Sequence, residues 1–219
     1  MEITKDKYEI TIYGEEPHVN YNRIMLSYIL SAEKTFEDTI INHQSWYEQN
    51  SITLNKGDKI ISIDRKNKTI KSQSGKIESY DKLLIATGST AFIPKIPGNE
   101  LKNVIAFRTK ADVDAIMQTI NKDKTAVVVG GGLLGLEAAY GIAKHGIKTI
   151  LVHRSGSILS QQLDSTGGKL LQKNLEKYGI EFKLNTTIKE ISGNEIIEKV
   201  EFTDGVCVES NLVVFATGI

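Results

Sequence analysis

The sequence is poor in cysteine and proline, carries no excess charge and lacks long apolar runs. Among its 219 residues are one cysteine and three prolines, and Lys plus Arg equals Asp plus Glu at 27 each. A single cysteine cannot form an intramolecular disulfide, so we expect a reducing, cytoplasmic location. Because the charge is balanced, no field favours nucleic acid or an acidic membrane, and we expect small-molecule ligands.

Two further expectations follow from what is scarce. No apolar run approaches the roughly 20 residues of a membrane helix, and the polar start MEITKDKYEI is unlike a signal peptide. We therefore expect no membrane partner. Cys207 lies in the strand-like stretch GVCVES, where we predict a buried apolar side chain in preference to a reactive thiol. The length allows one large domain or two small ones.

The most informative stretch is TAVVVGGGLLGLEAA, residues 125–139. It begins with the composition of a strand buried on both faces and continues at helical spacing towards Gly146. Three glycines between these parts have the GxGxxG spacing: Gly130, Gly132 and Gly135. A second strand follows over residues 149–153, within about thirty residues, as a βαβ dinucleotide-binding unit requires.

Each glycine has a physical reason in such a unit. Gly130 lets the backbone reverse, Gly132 leaves no side chain between the backbone and a pyrophosphate, and Gly135 lets the helix lie close to the strand. Unpaired N–H groups at the start of the helix then face the phosphates. A glycine-rich loop without a ligand is the alternative, but the order strand, glycines, helix, strand favours the nucleotide.

The remaining periodic stretches predict a mixed α/β chain. A linker is marked by Pro94, Pro97 and Gly98. Helical spacing predicts helices over 23–32, 41–50, about 109–120 with a Thr109/Asp112 capping box, and about 165–178. Alternation and apolar runs predict strands over 8–13, within 58–80 as an antiparallel meander, and over 83–86, 184–191, 199–202, 205–209 and 212–215.

Two of the predicted apolar strands end in the same tripeptide, at residues 86–88 and 216–218. With these pieces the chain resembles the flavin- and pyridine-nucleotide-dependent oxidoreductases with two dinucleotide domains. Within that family it is most similar to the flavin portion of NAD(P)H nitrite reductase large subunits, with rubredoxin reductases as the nearest alternative. The resemblance spans the chain and is carried by EEPHVNYNRIMLS, WYEQNSITLNKGDKIISIDR, YDKLLIATGS, GGGLLGLEAA and QQLD.

The resemblance implies an α/β fold with two Rossmann-like three-layer domains, the NAD(P) domain being inserted in the FAD domain. We expect a partial FAD domain over residues 1–103, the NAD(P) domain over 104–212, and a return towards the FAD domain over 213–219. Members of the family open with a strand and a glycine turn for FAD and continue past the second ATG. The present sequence begins after the first of these features and ends before the second. We therefore expect an internal fragment that does not itself reduce nitrite.

The resemblance also assigns residues to FAD. Glu15 matches the acid that faces the adenosine ribose, with Glu16 as an alternative, although both fit a solvated turn equally well. Ile60 matches a residue whose backbone meets the adenine. The other matched positions lie beside the flavin or at the two crossings: Tyr21, Asn22, Arg23, Ala86, Thr87, Gly88, Thr217 and Gly218.

A second set matches the nicotinamide cofactor. Its pyrophosphate is assigned to Gly130, Gly132, Leu133, Leu134 and Gly135. Glu137 matches an acid near the carboxamide, a surface acid being the alternative. NAD enzymes usually place an acid at the end of the second strand, where this chain has His153 and Arg154. Because Arg154 could accept a 2′-phosphate, we favour NADPH or mixed use over a solvated pair.

The implied reaction is hydride transfer from NAD(P)H to FAD, followed by electron export to an iron–sulfur or rubredoxin-type protein. Related disulfide reductases use a cysteine pair, which this chain lacks, and the corresponding region offers Ser27. We name no catalytic acid or base and expect no metal site; a homodimer is left open. The alternatives are a non-catalytic nucleotide-binding module that lacks a stable flavin site, and a plain NAD(P) dehydrogenase.

Overall fold

A computed structural model describes residues 7–120 and 124–218. In chain order the described helices are α1 (Leu26–Leu30), α2 (Gln44–Gln49), α3 (Lys110–Thr119), α4 (Leu133–Ala143) and α5 (Ser165–Glu176). The described strands are β1 (Ile10–Gly14), β2 (Ile52–Lys56), β3 (Ile60–Asp64), β4 (Thr69–Ser72), β5 (Ile77–Ser79), β6 (Val104–Ala106), β7 (Thr125–Val129), β8 (Lys148–His153), β9 (Ile180–Leu184), β10 (Ile188–Gly193), β11 (Ile197–Phe202), β12 (Cys207–Glu209) and β13 (Leu212–Phe215). Two 3₁₀ turns lie at Arg23–Met25 and Glu37–Thr39.

The chain divides into two compact units. The first takes residues up to Asn22 together with Glu37–Gly88, and the second takes Arg23–Phe36 together with the chain from Ser89 onward. The second unit therefore includes α1, which precedes most of the first unit in sequence. The expected domain bounds at 103 and 212 were drawn by the cofactor that each stretch would hold, and they remain a prediction.

The first unit contains two small sheets. Strands β1 and β2 are parallel, with Ile10 opposite Ile52. Helix α2 lies in the connection between these two strands. Strands β3, β4 and β5 form the predicted antiparallel meander. The sequence did not predict β2, although ITLNK has strand-like β-branched residues.

The strand predicted over residues 83–86 is wrong. This stretch has no strand partner among the described residues, and Leu84 and Ile85 are 88% and 64% exposed. Apolar composition favoured burial, but a strand also needs a neighbour that completes its backbone hydrogen bonds. Within the described part of the chain that neighbour is absent.

The second unit is built on a parallel sheet of five described strands in the order β6-β13-β7-β8-β9. Val127, Ile150 and Val213 point to one face, where they pack against β10–β12, a separate antiparallel sheet whose Phe202 is fully buried. Residues on the alternate positions point to the other face, which α4 covers. The unit therefore has the three layers that the Rossmann-like prediction requires.

The cysteine prediction is wrong. Cys207 is exposed on β12, where it pairs with Glu201 of β11 at the edge of the antiparallel sheet. Since side chains alternate along a strand, Val208 packs against the core and its neighbour Cys207 points outward. The composition VCV alone does not show which of these residues faces the core and which faces outward.

Local signals predicted the starts of α3 and α5 correctly. The Thr109 hydroxyl accepts from the backbone N–H of Asp112 while Asp112 accepts from Thr109, so the predicted capping box opens α3. Asp164 accepts from the N–H of Gly167 at 2.7 Å and opens α5. None of the helices in the described part of the chain could span a membrane.

Helix α1 packs tightly on α4 within the second unit. Leu30 is fully buried, and a Cβ added to Gly141 would lie 2.9 Å from its Cγ. At the end of α1, the ring Nε2 of His145 lies 2.7 Å from the Leu30 carbonyl oxygen, and Lys144 pairs with Glu33 at 2.9 Å.

Candidate functional site

The glycine-rich turn lies at the point where the strand order of the parallel sheet reverses. From β7 the chain proceeds to β8 on one side, while β13 occupies the other side of β7. The carboxyl ends of β7 and β13 meet there, with Val129 opposite Phe215. In open α/β sheets such a switch point leaves a crevice in which ligands bind.

Two of the glycines are required by packing. Gly130 has φ +126°, and a Cβ there would lie 2.5 Å from the Ala216 carbonyl oxygen. At Gly135 a Cβ would lie 1.9 Å from the carbonyl oxygen of Gly130. A side chain at either position would force the turn and helix apart.

Gly132 differs from these two. Its φ of −84° suits any residue, and no described atom lies within 4 Å of the Cβ it lacks. Packing therefore does not explain the missing side chain. A glycine here does permit another molecule to approach the backbone closely, as a diphosphate would.

The start of α4 presents backbone N–H groups without a side-chain cap among the described residues. The first N–H groups of a helix lack intrahelical acceptors and attract anions. Leu133 and Leu134 are 58% and 39% exposed beside them. The residues at this turn thus fit the diphosphate of a dinucleotide.

The second ATG tripeptide borders the turn. The N–H of Ala216 donates to the Val129 carbonyl at 2.9 Å. Thr217 donates its hydroxyl to the Phe92 carbonyl at 3.2 Å, and the N–H of Phe92 donates to Gly218 at 3.2 Å. Thr217 and Gly218 are exposed. The first ATG, Ala86 to Gly88, is also exposed and belongs to the other unit.

His153 and Arg154 end β8, the strand next to β7. The N–H of Gly131 donates to Nδ1 of the half-buried His153 ring at 3.1 Å. Burial lowers the pKa of His153, and the nearby Arg154 charge lowers it further. Arg154 itself is exposed. The sequence had assigned both residues to the nicotinamide cofactor and the 2′-phosphate to Arg154; in the structure the ring of His153 accepts a hydrogen bond from the turn.

Glu137 lies on α4 beyond the turn, next to Ser27 of α1. More than a third of its surface is exposed, yet partial desolvation raises its pKa, with a hydrogen bond to Ser27 acting in the opposite direction. The sequence had named both residues separately. That they meet depends on the packing of α1 on α4.

The residues assigned to the adenosine side of FAD lie in the first unit. Glu15 is exposed and pairs with Lys59 at 2.9 Å, whereas Glu16 accepts from the hydroxyl of buried Tyr21 at 2.6 Å. The N–H of Asn22 donates to the Thr39 carbonyl at 2.7 Å, and Ile60 opens β3. Of the two acids, Glu15 has the more accessible carboxylate.

The sequence missed Arg108. Arg23 donates from Nη1 to the Arg108 carbonyl at 2.9 Å, and the Arg108 guanidinium donates to the Ser89 hydroxyl at 2.9 Å. The Arg108 guanidinium thus lies beside Ser89, which directly follows the first ATG in sequence, and the backbone of Arg108 holds the Arg23 guanidinium. The available signal was its place before the α3 capping box, which fixes the backbone N–H of Arg108 on Asp112 at 3.0 Å.

Comparison with known proteins identifies the family. The family model for pyridine nucleotide-disulphide oxidoreductases matches residues 1–219. The chain belongs to this family. Its members are oxidoreductases whose cofactors are FAD and NAD(P)H. These 219 residues contain one cysteine, so they cannot form a disulfide pair among themselves.

Curated relatives within the family are longer proteins. The chain is 43% identical over 219 residues to the NAD(P)H nitrite reductase of Bacillus subtilis (strain 168), covering all of the chain and 27% of that protein. It is 39% identical to the assimilatory nitrate reductase electron transfer subunit of the same organism, covering all of the chain and 28% of that protein. The chain thus spans about a quarter of each relative.

Solved structures of oxidoreductases share the fold. NADH:rubredoxin oxidoreductase from Clostridium acetobutylicum is 30% identical with a TM-score of 0.76, over 95% of this chain and 51% of that one. The reductase of a covalent putidaredoxin reductase–putidaredoxin complex is 22% identical with a TM-score of 0.86, over 96% and 52%. The sequence-based family and fold class are confirmed.

No group of three or more His, Cys, Asp or Glu residues that could hold a metal occurs among residues 7–120 and 124–218.

Proposed function

We propose that this chain forms the NAD(P)H site, and part of the FAD site, of a flavoprotein reductase that delivers electrons to an iron–sulfur or rubredoxin-type protein. The observation that carries the proposal is the turn at Gly132, where neither packing nor backbone strain requires a glycine. The relatives named for nitrite reduction, electron transfer and rubredoxin reduction support the class of reaction.

In the proposed site the cofactors supply the redox chemistry, namely hydride transfer from reduced nicotinamide to flavin. The chain supplies binding and alignment. The N–H groups at the start of α4 hold the NAD(P)H diphosphate, Leu133 and Leu134 line the approach, and Glu137 lies one turn further along the helix near the carboxamide. Holding two reactants in a reactive geometry lowers the barrier because the loss of their freedom of motion is met on binding.

On the flavin side, we assign the adenosine ribose to Glu15 and a cofactor phosphate to Arg23. Arg108 joins this assignment because its guanidinium lies beside Ser89 and its carbonyl holds Arg23. A carboxylate accepts from the two ribose hydroxyls, and guanidinium groups donate to phosphate oxygens.

We infer a preference for NADPH or mixed use. The position that follows β8 carries no acid to repel a 2′-phosphate, and the exposed guanidinium of Arg154 can donate two hydrogen bonds to one. His153 contributes to this site indirectly, because its ring holds the glycine-rich turn at Gly131.

A second candidate is a nucleotide-binding module without flavin chemistry. It is favoured by the exposed stretch at Leu84 and Ile85, which has no described strand partner next to the proposed FAD contacts. Absorbance spectroscopy of the purified chain, with and without added FAD, separates the two. Flavin retention together with NAD(P)H-dependent reduction of an electron-accepting dye supports the reductase. NAD(P)H binding with neither flavin retention nor dye reduction supports the module.

A further inference from the structure

The ring of His153 and the glycine-rich turn are packed against each other. The N–H of Gly131 donates to Nδ1 at 3.1 Å, and a Cβ added to Gly131 would lie 2.7 Å from Cγ and Cδ2 of the ring. No side chain therefore fits between the turn and the imidazole. The position of Gly131 depends on this ring.

Two other hydrogen bonds hold the same turn. The N–H of Leu159 donates to the Gly131 carbonyl at 2.8 Å, and the N–H of Gly130 donates to the Val152 carbonyl at 2.9 Å. Both join backbone groups, which do not titrate. Of these three bonds, the one to His153 is the one that depends on a group that titrates near neutral pH.

The hydrogen bond fixes the charge state of the imidazole. Nδ1 accepts, so it carries a lone pair, and the neutral ring holds its proton on Nε2. Burial lowers the pKa of His153, with Arg154 adding to the effect, so the neutral form dominates at neutral pH. The imidazolium would carry a hydrogen on Nδ1 facing the N–H of Gly131, and two donors repel each other.

Within the described residues, two charged side chains lie near His153 in sequence or in strand register. Arg154 follows it on β8, and on the neighbouring β9 Lys183 lies one register position before the partner of His153 and pairs with Asp204 at 3.3 Å. The two backbone N–H groups that donate to His153, those of Gly131 and Thr186, are uncharged.

We propose that His153 is a pH-sensitive positioning residue of the nucleotide site. Its neutral ring holds the glycine-rich turn in the shape that receives the dinucleotide diphosphate, and protonation releases the turn and weakens dinucleotide binding. The inference rests on the proposed function, because it concerns the affinity of that same site. It gives His153 a role that differs from a direct contact with a 2′-phosphate.

Titration of the 219-residue chain with NADH at two pH values tests the proposal. NADH is the suitable probe because it has no 2′-phosphate that an imidazolium could attract. We expect the dissociation constant of the native chain to rise about three- to tenfold between about pH 7.5 and an acidic pH at which the NMR signals of the His153 ring show it to be protonated, which is the change expected when one hydrogen bond is lost.

Two variants separate the hydrogen bond from other effects of acid. His153→Asn places an amide oxygen near the position of Nδ1, accepts from Gly131 and does not titrate, so binding should stay tight at both pH values. His153→Ala removes the acceptor, so binding should be weak at both. In Arg154→Ala the charge that lowers the pKa of His153 is gone, so the midpoint of the pH effect should move to higher pH.

A second readout needs no ligand. Hydrogen exchange of the Gly131 amide should accelerate in His153→Ala relative to His153→Asn, with thermal unfolding of both variants confirming that they fold. Native NADH affinity that is independent of pH, or equal in native chain and His153→Ala at neutral pH, overturns the inference alone. Failure of the native chain to bind either NADH or NADPH at neutral pH overturns the proposed function, and the Gly131 exchange rates then decide the role of His153 in the turn.

Discussion

Gly130 meets Ala216 so closely that a single added carbon would collide with it: a Cβ on Gly130 would lie 2.5 Å from the Ala216 carbonyl oxygen. The contact joins the first glycine of the nucleotide turn to the second ATG tripeptide. The two sequence features that identified the family are therefore one structural feature, at the end of two adjacent parallel strands.

Gly130→Ala should destabilise the fold by about 2–4 kcal/mol, since the substitution adds strain at φ +126° to the collision with Ala216. Urea unfolding of native chain and variant measures the loss. The control is Gly205→Ala, which has φ +82° but no described atom within 4 Å of the added Cβ, so only the strain of about 1 kcal/mol is expected. Equal losses in both variants would show that the contact with Ala216 is unimportant.

Gly132→Ala should lower the free energy of unfolding by no more than about 1 kcal/mol, the usual cost of alanine at an N-cap, and weaken NAD(P)H binding at least about tenfold. The backbone at φ −84° accepts alanine, and the new methyl group would stand between the start of α4 and the diphosphate. Urea unfolding and a nucleotide titration on the same sample give the two values. Undiminished affinity in a stable variant would remove Gly132 from the site.

Because α1 packs on α4, the effect of Gly141→Ala on stability should have opposite signs in the native chain and in the Leu30→Ala variant. Gly141→Ala should destabilise the native chain by about 1–3 kcal/mol, because the new methyl lies 2.9 Å from Leu30 Cγ. Leu30→Ala should cost about 2–5 kcal/mol by opening a cavity under α1.

In the Leu30→Ala background the second substitution fills part of the cavity and replaces a helical glycine, so Gly141→Ala should then be stabilising. A double-mutant cycle by urea denaturation measures this. If the two costs simply add, α1 does not pack on α4 as the structure shows.

Ionisation of Glu137 should lower the free energy of unfolding as the pH rises. Its pKa is raised in the folded chain, so between the pKa of the unfolded chain, about 4.3, and the higher folded value the native state binds more protons, and the free energy of unfolding falls with increasing pH. Glu137→Gln should therefore be more stable relative to the native chain at neutral pH than at acidic pH.

The matched control is Glu33→Gln, which should show the reverse trend. The hydrogen bond from Lys144 holds the pKa of Glu33 below its usual value, so its contribution to stability is present at neutral pH and is lost on acidification. Both trends are read from unfolding free energies over a pH series. The same direction for the two variants would contradict the environments described for these acids.

Arg154→Ala should weaken NADPH binding at least about tenfold and change NADH binding little, because only NADPH offers a 2′-phosphate to the guanidinium. Isothermal titration with each nucleotide measures the difference. Arg65→Ala, which removes another exposed arginine in the other unit, serves as the control. Equal NADPH and NADH affinities before and after the Arg154 change would end the inferred preference.

Local sequence signals predicted the elements of the proposed nucleotide site. The strand β7, its glycines and α4 are specified by neighbouring residues, so their order along the chain was sufficient. Strand β6 has only three residues, and β9 depends on a partner more than twenty-five residues away in β8, so neither was predicted. The same reason explains the wrong prediction at residues 83–86: their composition is typical of a strand, but they have no strand partner among the described residues.

Side-chain engagement was harder to predict than backbone position. The sequence placed His153 at the end of the second strand but could not show that its ring accepts from Gly131. It likewise named Ser27 and Glu137 separately, since their contact depends on how α1 lies on α4. Arg108 was missed because no motif at its own position marks it.

The central claim is that the start of α4 binds the diphosphate of a reduced nicotinamide dinucleotide. Amide NMR spectra of the ¹⁵N-labelled chain, recorded during titration with NADPH, test it most directly. We predict that the largest saturable shifts fall on the backbone amides of Gly132, Leu133 and Leu134. Saturable binding that leaves these three amides unmoved, or no binding at all, would contradict the account.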